Sequence, residues 1–285
     1  MNLNLVTIIG AGTMGQGIAQ WFAQQGLKVE LTDANHEASL GAIEKINSSW
    51  SKLCEKGKFD SAQVASFIEN IKATKIDSLN KDSDLVVEAI IENLEIKHKV
   101  FKNIDEVMND KTIIASNTSS IPITDLSSCL SEKRKAKFLG LHFFNPATIM
   151  KLVEVIKGES TDQDICDDLE RWFTDRGKKP AQCKDSPGFI VNRVARNFYG
   201  EPLRIAEEGH EYSEIDKVLR EVGGFRMGPF ELMDLIGIDI NYDVTCSVWN
   251  AFDQNPRFAP HKIQKEKVES KHFGRKSSKG FFDYE

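Results

Sequence analysis

Three glycines punctuate the run Val6-Thr7-Ile8-Ile9-Gly10-Ala11-Gly12-Thr13-Met14-Gly15 at the spacing G-x-G-x-x-G. The run before them is apolar and β-branched, as a buried strand requires, and a helical pattern through Gln16, Ile18, Ala19 and Phe22 follows at once. Strand, tight turn and helix in that order suit a dinucleotide. Gly10 permits the sharp turn, Gly12 lets a pyrophosphate approach the backbone, and Gly15 lets the helix sit close to the strand. The helix start, through Ala11, Thr13 and Met14, offers N–H groups and positive partial charge to the phosphates. A second strand, residues 27–32, ends in Asp33, 18 residues beyond Gly15. A carboxylate there accepts from the adenosine ribose hydroxyls and repels a 2′-phosphate, which favours NAD over NADP.

Further chemistry-bearing residues stand farther along, each at or just past the carboxyl end of an expected strand. Residues 84–89 form an almost wholly apolar strand leading to Glu92, residues 112–116 lead to Asn117-Thr118-Ser119-Ser120, and residues 137–142 end in His142. Ligands of open α/β sheets bind outside those ends. Helical patterns alternate with these strands, at residues 36–56 (apolar Leu40, Ile43, Ile46, Trp50 and Leu53), through Val64, Phe67 and Ile68, and at 94–108 and 164–176. Strands at 71–74, 152–156 and 179–183 complete the set. The alternation predicts a Rossmann-type, mainly parallel sheet domain.

The pattern changes at Lys184-Asp185-Ser186-Pro187-Gly188. Beyond it lie only helical segments, expected at 189–208, 213–221, 228–248 and 263–269, with Ser213 and Asp216 as a capping-box variant and Pro229 at a helix start. The expected division is therefore residues 1–186, binding NAD, and residues 187–285, an all-helical domain.

With 285 residues, 40% of them hydrophobic, the chain can bury a sizeable core; a net charge of −6 argues against a partner held by bulk positive charge, such as nucleic acid. Cys54, Cys129, Cys166, Cys183 and Cys246 are scattered and odd in number. They read as reduced thiols of a cytoplasmic protein, not a disulfide framework or metal site. The first strand begins almost at the N-terminus and no apolar run approaches ~18 residues, so neither a leader nor a membrane span is expected.

Gly140-Leu141-His142-Phe143-Phe144-Asn145-Pro146, Met150-Lys151-Leu152-Val153-Glu154-Val155 and Lys184-Asp185-Ser186-Pro187-Gly188-Phe189-Ile190-Val191-Asn192-Arg193 together resemble the L-3-hydroxyacyl-CoA dehydrogenases. Asp84 to Ala89, Ala115 to Ser120 and Met227-Gly228-Pro229-Phe230-Glu231-Leu232 match as well, so the resemblance runs from about residue 5 to the end. It implies an N-terminal NAD domain, a helical C-terminal domain that usually forms a homodimer, and reversible oxidation of a 3-hydroxyacyl-CoA. Removing hydride from a secondary alcohol needs a base for the hydroxyl proton. An imidazole suits both directions, and Glu154 on the following strand could hold the other ring nitrogen of His142. By the same resemblance, Ser119 and Asn192 position the substrate oxygens, and Glu92, Lys97, Ser119 and Asn145 contact NAD. Ser49 and Lys56 contact CoA, with Lys52 and Lys58 adding positive charge.

Two departures stand out. Ser278 replaces the glycine usual in Phe273-Gly274-Arg275-Lys276-Ser277-Ser278-Lys279-Gly280, which costs ~1 kcal/mol if that position needs positive φ. Asn197 and Pro202 are expected to interrupt the helix after Asn192. The family of fatty acid metabolism that the chain resembles spans short-chain 3-hydroxybutyryl, longer-chain β-oxidation and 3-hydroxyadipyl types, and the single helical domain and 285-residue length look like the short-chain one. The stretches at 223–230 and 253–258 look closer to the 3-hydroxyadipyl type of phenylacetate catabolism, where Arg226 or Arg257 could pair with a terminal carboxylate. Two other readings of this fold remain open: a dehydrogenase of free sugar acids of the L-gulonate kind, and a structural protein of the lambda-crystallin kind.

Overall fold

The β-branched run at the N-terminus forms strand β1 (Leu5–Ile9), fully buried from Val6 onward. The computed structural model describes all 285 residues, which divide into two units, Met1–Ser186 and Pro187–Glu285. In the first, β1 is followed by α1 (Thr13–Gln24), β2 (Lys28–Thr32), α2 (His36–Glu55), α3 (Ser61–Glu69), β3 (Ile71–Ala73), β4 (Leu85–Glu88), α4 (Leu94–Val107) and β5 (Ile113–Ser116). Two short helices, α5 (Ile123–Ser127) and α6 (Glu132–Lys135), precede β6 (Phe138–Phe143), β7 (Leu152–Lys157), α7 (Gln163–Thr174) and β8 (Lys179–Lys184).

All eight strands lie in one sheet, ordered β3-β2-β1-β4-β5-β6-β7-β8. Pairing is parallel except between β6 and β7. The order reverses between β1 and β4, the place where open α/β sheets form a ligand crevice. The antiparallel step follows from chain length: residues 144–151 are too few for a parallel crossover, which needs about a dozen residues or more. Trp21 and Phe22 of α1, Phe143 of β6 and Trp172 and Phe173 of α7 form one aromatic cluster, with Trp21 stacked on Phe173 at 5.5 Å.

The stripe expected on α2 is only partly the buried one. Ile46 and Trp50 are in the core with Ser39 and Ala42, whereas Leu40 is exposed. Small side chains at 39 and 42 face inward and turn Leu40 out.

The second unit consists of α8 (Val191–Glu207), α9 (Tyr212–Glu221), α10 (Pro229–Ile236), α11 (Ile238–Ala251) and α12 (Lys262–Glu269) around Tyr199, Leu203, Ile215, Phe230, Met233, Ile238 and Phe281. Three expectations are corrected here. The segment 228–248 is two helices, because Gly237 takes φ 104° and breaks the helical path. The helix after Asn192 runs on through Asn197 and Pro202. Asp216 does not cap its own helix. It accepts from the backbone N–H groups of Phe230 (3.0 Å) and Glu231 (2.9 Å), closing the start of α10 from outside. Gly228 is required for this contact, since a Cβ there would fall 2.2 Å from the Asp216 carboxyl carbon. Ser278 does adopt the left-handed conformation, at φ 56°. No helix is long and apolar enough to cross a membrane.

Candidate active site

The turn between β1 and α1 is built for close approach. Gly10 takes φ 110°, and a Cβ on it would strike the Ala89 carbonyl oxygen at 2.4 Å. A Cβ on Gly15 would lie 1.8 Å from the Gly10 oxygen, so the first turn of α1 rests on the loop itself. Gly12 differs, because a Cβ there would meet nothing within 4 Å. It is the N-cap of α1, with no side-chain cap and no acid in the first turn. The helix start is therefore open above an exposed backbone, an environment that suits a pyrophosphate. Asp33 is tied to this loop: its Oδ2 accepts from the Ala11 N–H at 2.8 Å and its Oδ1 from that of Asn35 at 3.1 Å. The residues present thus fit a dinucleotide, with the Asp33 carboxylate available to a ribose and the open backbone at Gly12 to phosphates.

The ends of β4 and β5 hold a polar network. Lys97, 1% exposed, donates to Glu88 Oε1 at 2.6 Å and pairs with Glu92 Oε2 at 3.2 Å. Glu88, fully buried at the end of an otherwise apolar strand, also accepts from Ser116 Oγ (2.6 Å) and the Ile90 N–H (2.7 Å). Glu92 Oε1 gathers Thr118 Oγ1 (2.6 Å), the Ser119 N–H (3.0 Å), the Ser120 N–H (3.1 Å) and Ser120 Oγ (2.9 Å). Partial burial pushes the Glu92 carboxyl up, but the Lys97 ammonium and these bonds outweigh it and hold it below the usual carboxylate range. The turn carrying Ser119 is therefore clamped onto Glu92, and Glu92 onto Lys97.

His142 and Glu154 are register partners across β6 and β7. Glu154 is fully buried, His142 nearly so, and His142 Nδ1 lies 2.6 Å from Glu154 Oε2. The Phe144 ring stands 4.5 Å from the imidazole, and the Phe143 N–H donates to Asn117 Oδ1 at 2.8 Å, joining β6 to the end of β5. Asn145 is exposed in the loop beyond. On α2, Ser49 is half-buried, Lys52 is exposed on the same face one turn on, and Lys56 is the exposed C-cap residue. Asn192, in the other unit, is the half-buried second residue of α8.

Two members of this framework escaped the sequence reading. Glu88 looked like one more residue of a buried strand, yet a carboxylate at the end of Leu85-Val86-Val87 must find partners and was a signal in itself. Lys178 is buried too. Its Nζ donates to the carbonyls of Ala147 and of Met150 (2.7 Å) and lies 4.7 Å from the Trp21 ring centre, so it pins the loop after His142.

Residues 5–186 match the sequence family described as 3-hydroxyacyl-CoA dehydrogenase, NAD binding domain, and residues 188–284 match that of the 3-hydroxyacyl-CoA dehydrogenase, C-terminal domain. The chain belongs to the 3-hydroxyacyl-CoA dehydrogenase family. It is 43% identical over 286 residues to the 3-hydroxyadipyl-CoA dehydrogenase of Escherichia coli, covering all of this chain and 60% of that protein. It is 39% identical to the human mitochondrial hydroxyacyl-coenzyme A dehydrogenase, covering 98% of this chain and 90% of that one. Among solved structures, the (S)-3-hydroxybutyryl-CoA dehydrogenase of Ralstonia eutropha superposes with a TM-score of 0.93 at 36% identity over the whole of both chains. The cofactor of the family's first domain is NAD, which agrees with the fit of the glycine turn and Asp33.

Proposed function

We propose that the chain catalyses the reversible, NAD-dependent oxidation of a (3S)-3-hydroxyacyl-CoA to the 3-oxoacyl-CoA, with His142 as general base. The observation that carries this reading is the buried His142–Glu154 pair at the carboxyl end of β6. A carboxylate with no exposure, 2.6 Å from Nδ1, favours the tautomer with its proton on Nδ1 and stabilises the imidazolium. In that tautomer Nε2 takes the 3-hydroxyl proton. The O–H electrons form the C3 carbonyl as the C3 hydrogen departs with its electron pair. Bound NAD supplies the acceptor for that hydride at nicotinamide C4.

Ser119 is held by the Glu92 clamp and orients the substrate hydroxyl, while Asn192 orients the acyl carbonyl. Neither needs to titrate to do so. Glu92 and Asn145 contact the cofactor, the Gly10–Gly15 turn with Asp33 holds its phosphates and ribose, and Lys97, expected as a third contact, is buried beneath Glu92 and acts through that carboxylate. Ser49 and Lys56 on α2 meet the CoA nucleotide, whose phosphates Lys52 and Lys58 help to neutralise. The acyl group is of the short-chain or the 3-hydroxyadipyl kind, as in the relatives' names. The second unit forms a homodimer through the apolar groove beside α9.

The test is turnover of 3-hydroxybutyryl-CoA and 3-hydroxyadipyl-CoA followed by NADH absorbance. His142→Gln is expected to bind NADH as the wild type does and to lose at least ~100-fold in kcat. Near-normal kcat in that variant would remove His142 from the role.

A further inference from the structure

Arg196, on α8, is 5% exposed and carries a charge with no carboxylate beside it. Its Nε donates to the Asn192 carbonyl at 3.0 Å, and its Nη1 donates to the Asn241 carbonyl at 3.0 Å and Thr245 Oγ1 at 2.6 Å. Every one of these acceptors is neutral, as is the Tyr199 ring 5.0 Å from the guanidinium. Arg134, buried to the same degree in the other unit, shows the ordinary arrangement: it pairs with Asp105 at 3.0 Å. A buried cation without a counter-ion is costly. Burial accordingly draws the Arg196 pKa down to about 10, which still leaves it charged at neutral pH.

Arg196 lines a narrow cavity of about 20 Å³ together with Tyr199, Gly200, Arg204, Arg257 and His261, and no aspartate or glutamate contributes to its wall. The nearby acids are engaged elsewhere: Glu201 holds Arg204 at 2.9 Å and Glu207 holds His261 at 2.9 Å. Arg257 is exposed and pairs with no acid. Gly200 is a second independent sign. It lies inside a helix, where glycine costs about 0.5–1 kcal/mol relative to alanine. A Cβ there would meet only Arg204 Nη1, at an ordinary 3.7 Å. Packing does not demand the glycine, and its missing side chain leaves the cavity beside it open.

We propose that this cavity is an anion site in which Arg196, assisted by Arg257, binds a small monoanion: the carboxylate ending an acyl chain, or a free ion of that size. The volume admits a chloride-sized ion or the oxygen end of a carboxylate, with the rest of that ligand outside it. The acyl-chain source rests on the dehydrogenase reading. It is supported by placement on one element, since Arg196 stands one helical turn beyond Asn192 and bonds to its carbonyl. In a six-carbon diacid the far carboxylate stands five bonds from the acyl carbonyl that Asn192 orients, about the rise of the four residues from Asn192 to Arg196.

The experiment has two readouts on the full chain. The first is thermal unfolding at constant ionic strength in sodium gluconate, chloride and acetate. The second is the ratio of kcat/KM for 3-hydroxyadipyl-CoA to that for 3-hydroxybutyryl-CoA. Wild type should melt higher in chloride or acetate than in gluconate, in a saturable way, and Arg196→Met should abolish the difference. If the acyl chain supplies the anion, Arg196→Met also lowers the ratio at least about tenfold. If the ratio holds while the anion-dependent shift disappears, the ligand is a free ion. Gly200→Ala puts a methyl group into a void of about that size, with only an ordinary contact to Arg204, and leaves the guanidinium in place, so it must have the same effect even if Arg196→Met folds poorly. An unchanged ratio together with anion responses equal in wild type and both variants overturns the proposal. Inactivity of the wild type on both substrates, with an Arg196-dependent anion shift retained, would overturn the dehydrogenase reading and leave the site standing.

Discussion

At the scale of single residues, the polar groups flanking the sheet act through one another. Glu92 accepts four bonds on one oxygen and an ammonium on the other, so it holds the Ser119 turn rather than merely facing solvent. Glu92→Gln is expected to keep Lys97 paired with Glu88 but to loosen residues 118–120, lowering kcat/KM at least tenfold with a smaller effect on NADH affinity. Steady-state kinetics beside NADH titration checks this, and equal losses in both would make Glu92 a cofactor contact alone. Stability gives a second readout. The folded Glu92 pKa is depressed below its ordinary 4.5, so its contribution is complete above that pH and fades as pH falls below it. The advantage of wild type over Glu92→Gln in urea unfolding should shrink only in that acid range. Much of this site was legible from the sequence. Gly10, Gly12, Gly15 and Asp33 stand out by spacing, and His142 by the motif Gly140-Leu141-His142-Phe143-Phe144-Asn145-Pro146 around it. Glu88 was not, because burial and pairing are properties of the packed sheet and leave no periodic trace.

At the scale of elements, the reversal of β7 decides which residue faces His142. A strand parallel to β6 would need a crossover, and nothing in the short link after Phe143 supplies one. Antiparallel pairing instead sets Glu154 directly opposite His142. The strands themselves were visible in the sequence, and their direction could have been read from the length of the link. What fixes that link is Lys178, whose ammonium ties two carbonyls of residues 147–150 and lies against aromatic faces of α1 and β6. Burial lowers its pKa from 10.5 to about 8. The unfolded chain therefore binds more protons than the folded one between about pH 8 and 10.5, and the stability owed to Lys178 rises with pH through that window. The difference in unfolding free energy between wild type and Lys178→Met should move in favour of wild type from pH 8 to pH 10. A flat difference would mean that the ammonium is hydrated in the folded state.

At the scale of the whole molecule, the change of pattern near residue 186 was plain from Pro187 and Gly188, and the chain divides there. Inside the helical unit, sequence periodicity alone merged α10 with α11, because a single glycine at positive φ interrupts neither the apolar pattern nor the run of helix formers. The surface of this unit leaves an apolar account unsettled. Val222 is 83% exposed at the end of α9, Val218 and Phe225 are exposed beside it, and with Pro202, Ile205 and Ile215 they line a groove of about 800 Å³. A contiguous apolar patch of this kind marks an interface. On the function proposed above, its occupant is a second copy of the chain. Val222→Asp puts a charge where the partner would have to desolvate it, a cost of several kcal/mol against an interface. Light scattering after size exclusion at micromolar concentration should find a dimer for wild type and a monomer for Val222→Asp, with unchanged far-ultraviolet circular dichroism. Because the substituted side chain is almost fully in water in the single chain, its fold has no reason to suffer. A variant that remains dimeric would place the interface on another face of the helical unit, and a monomeric wild type would remove the dimer altogether.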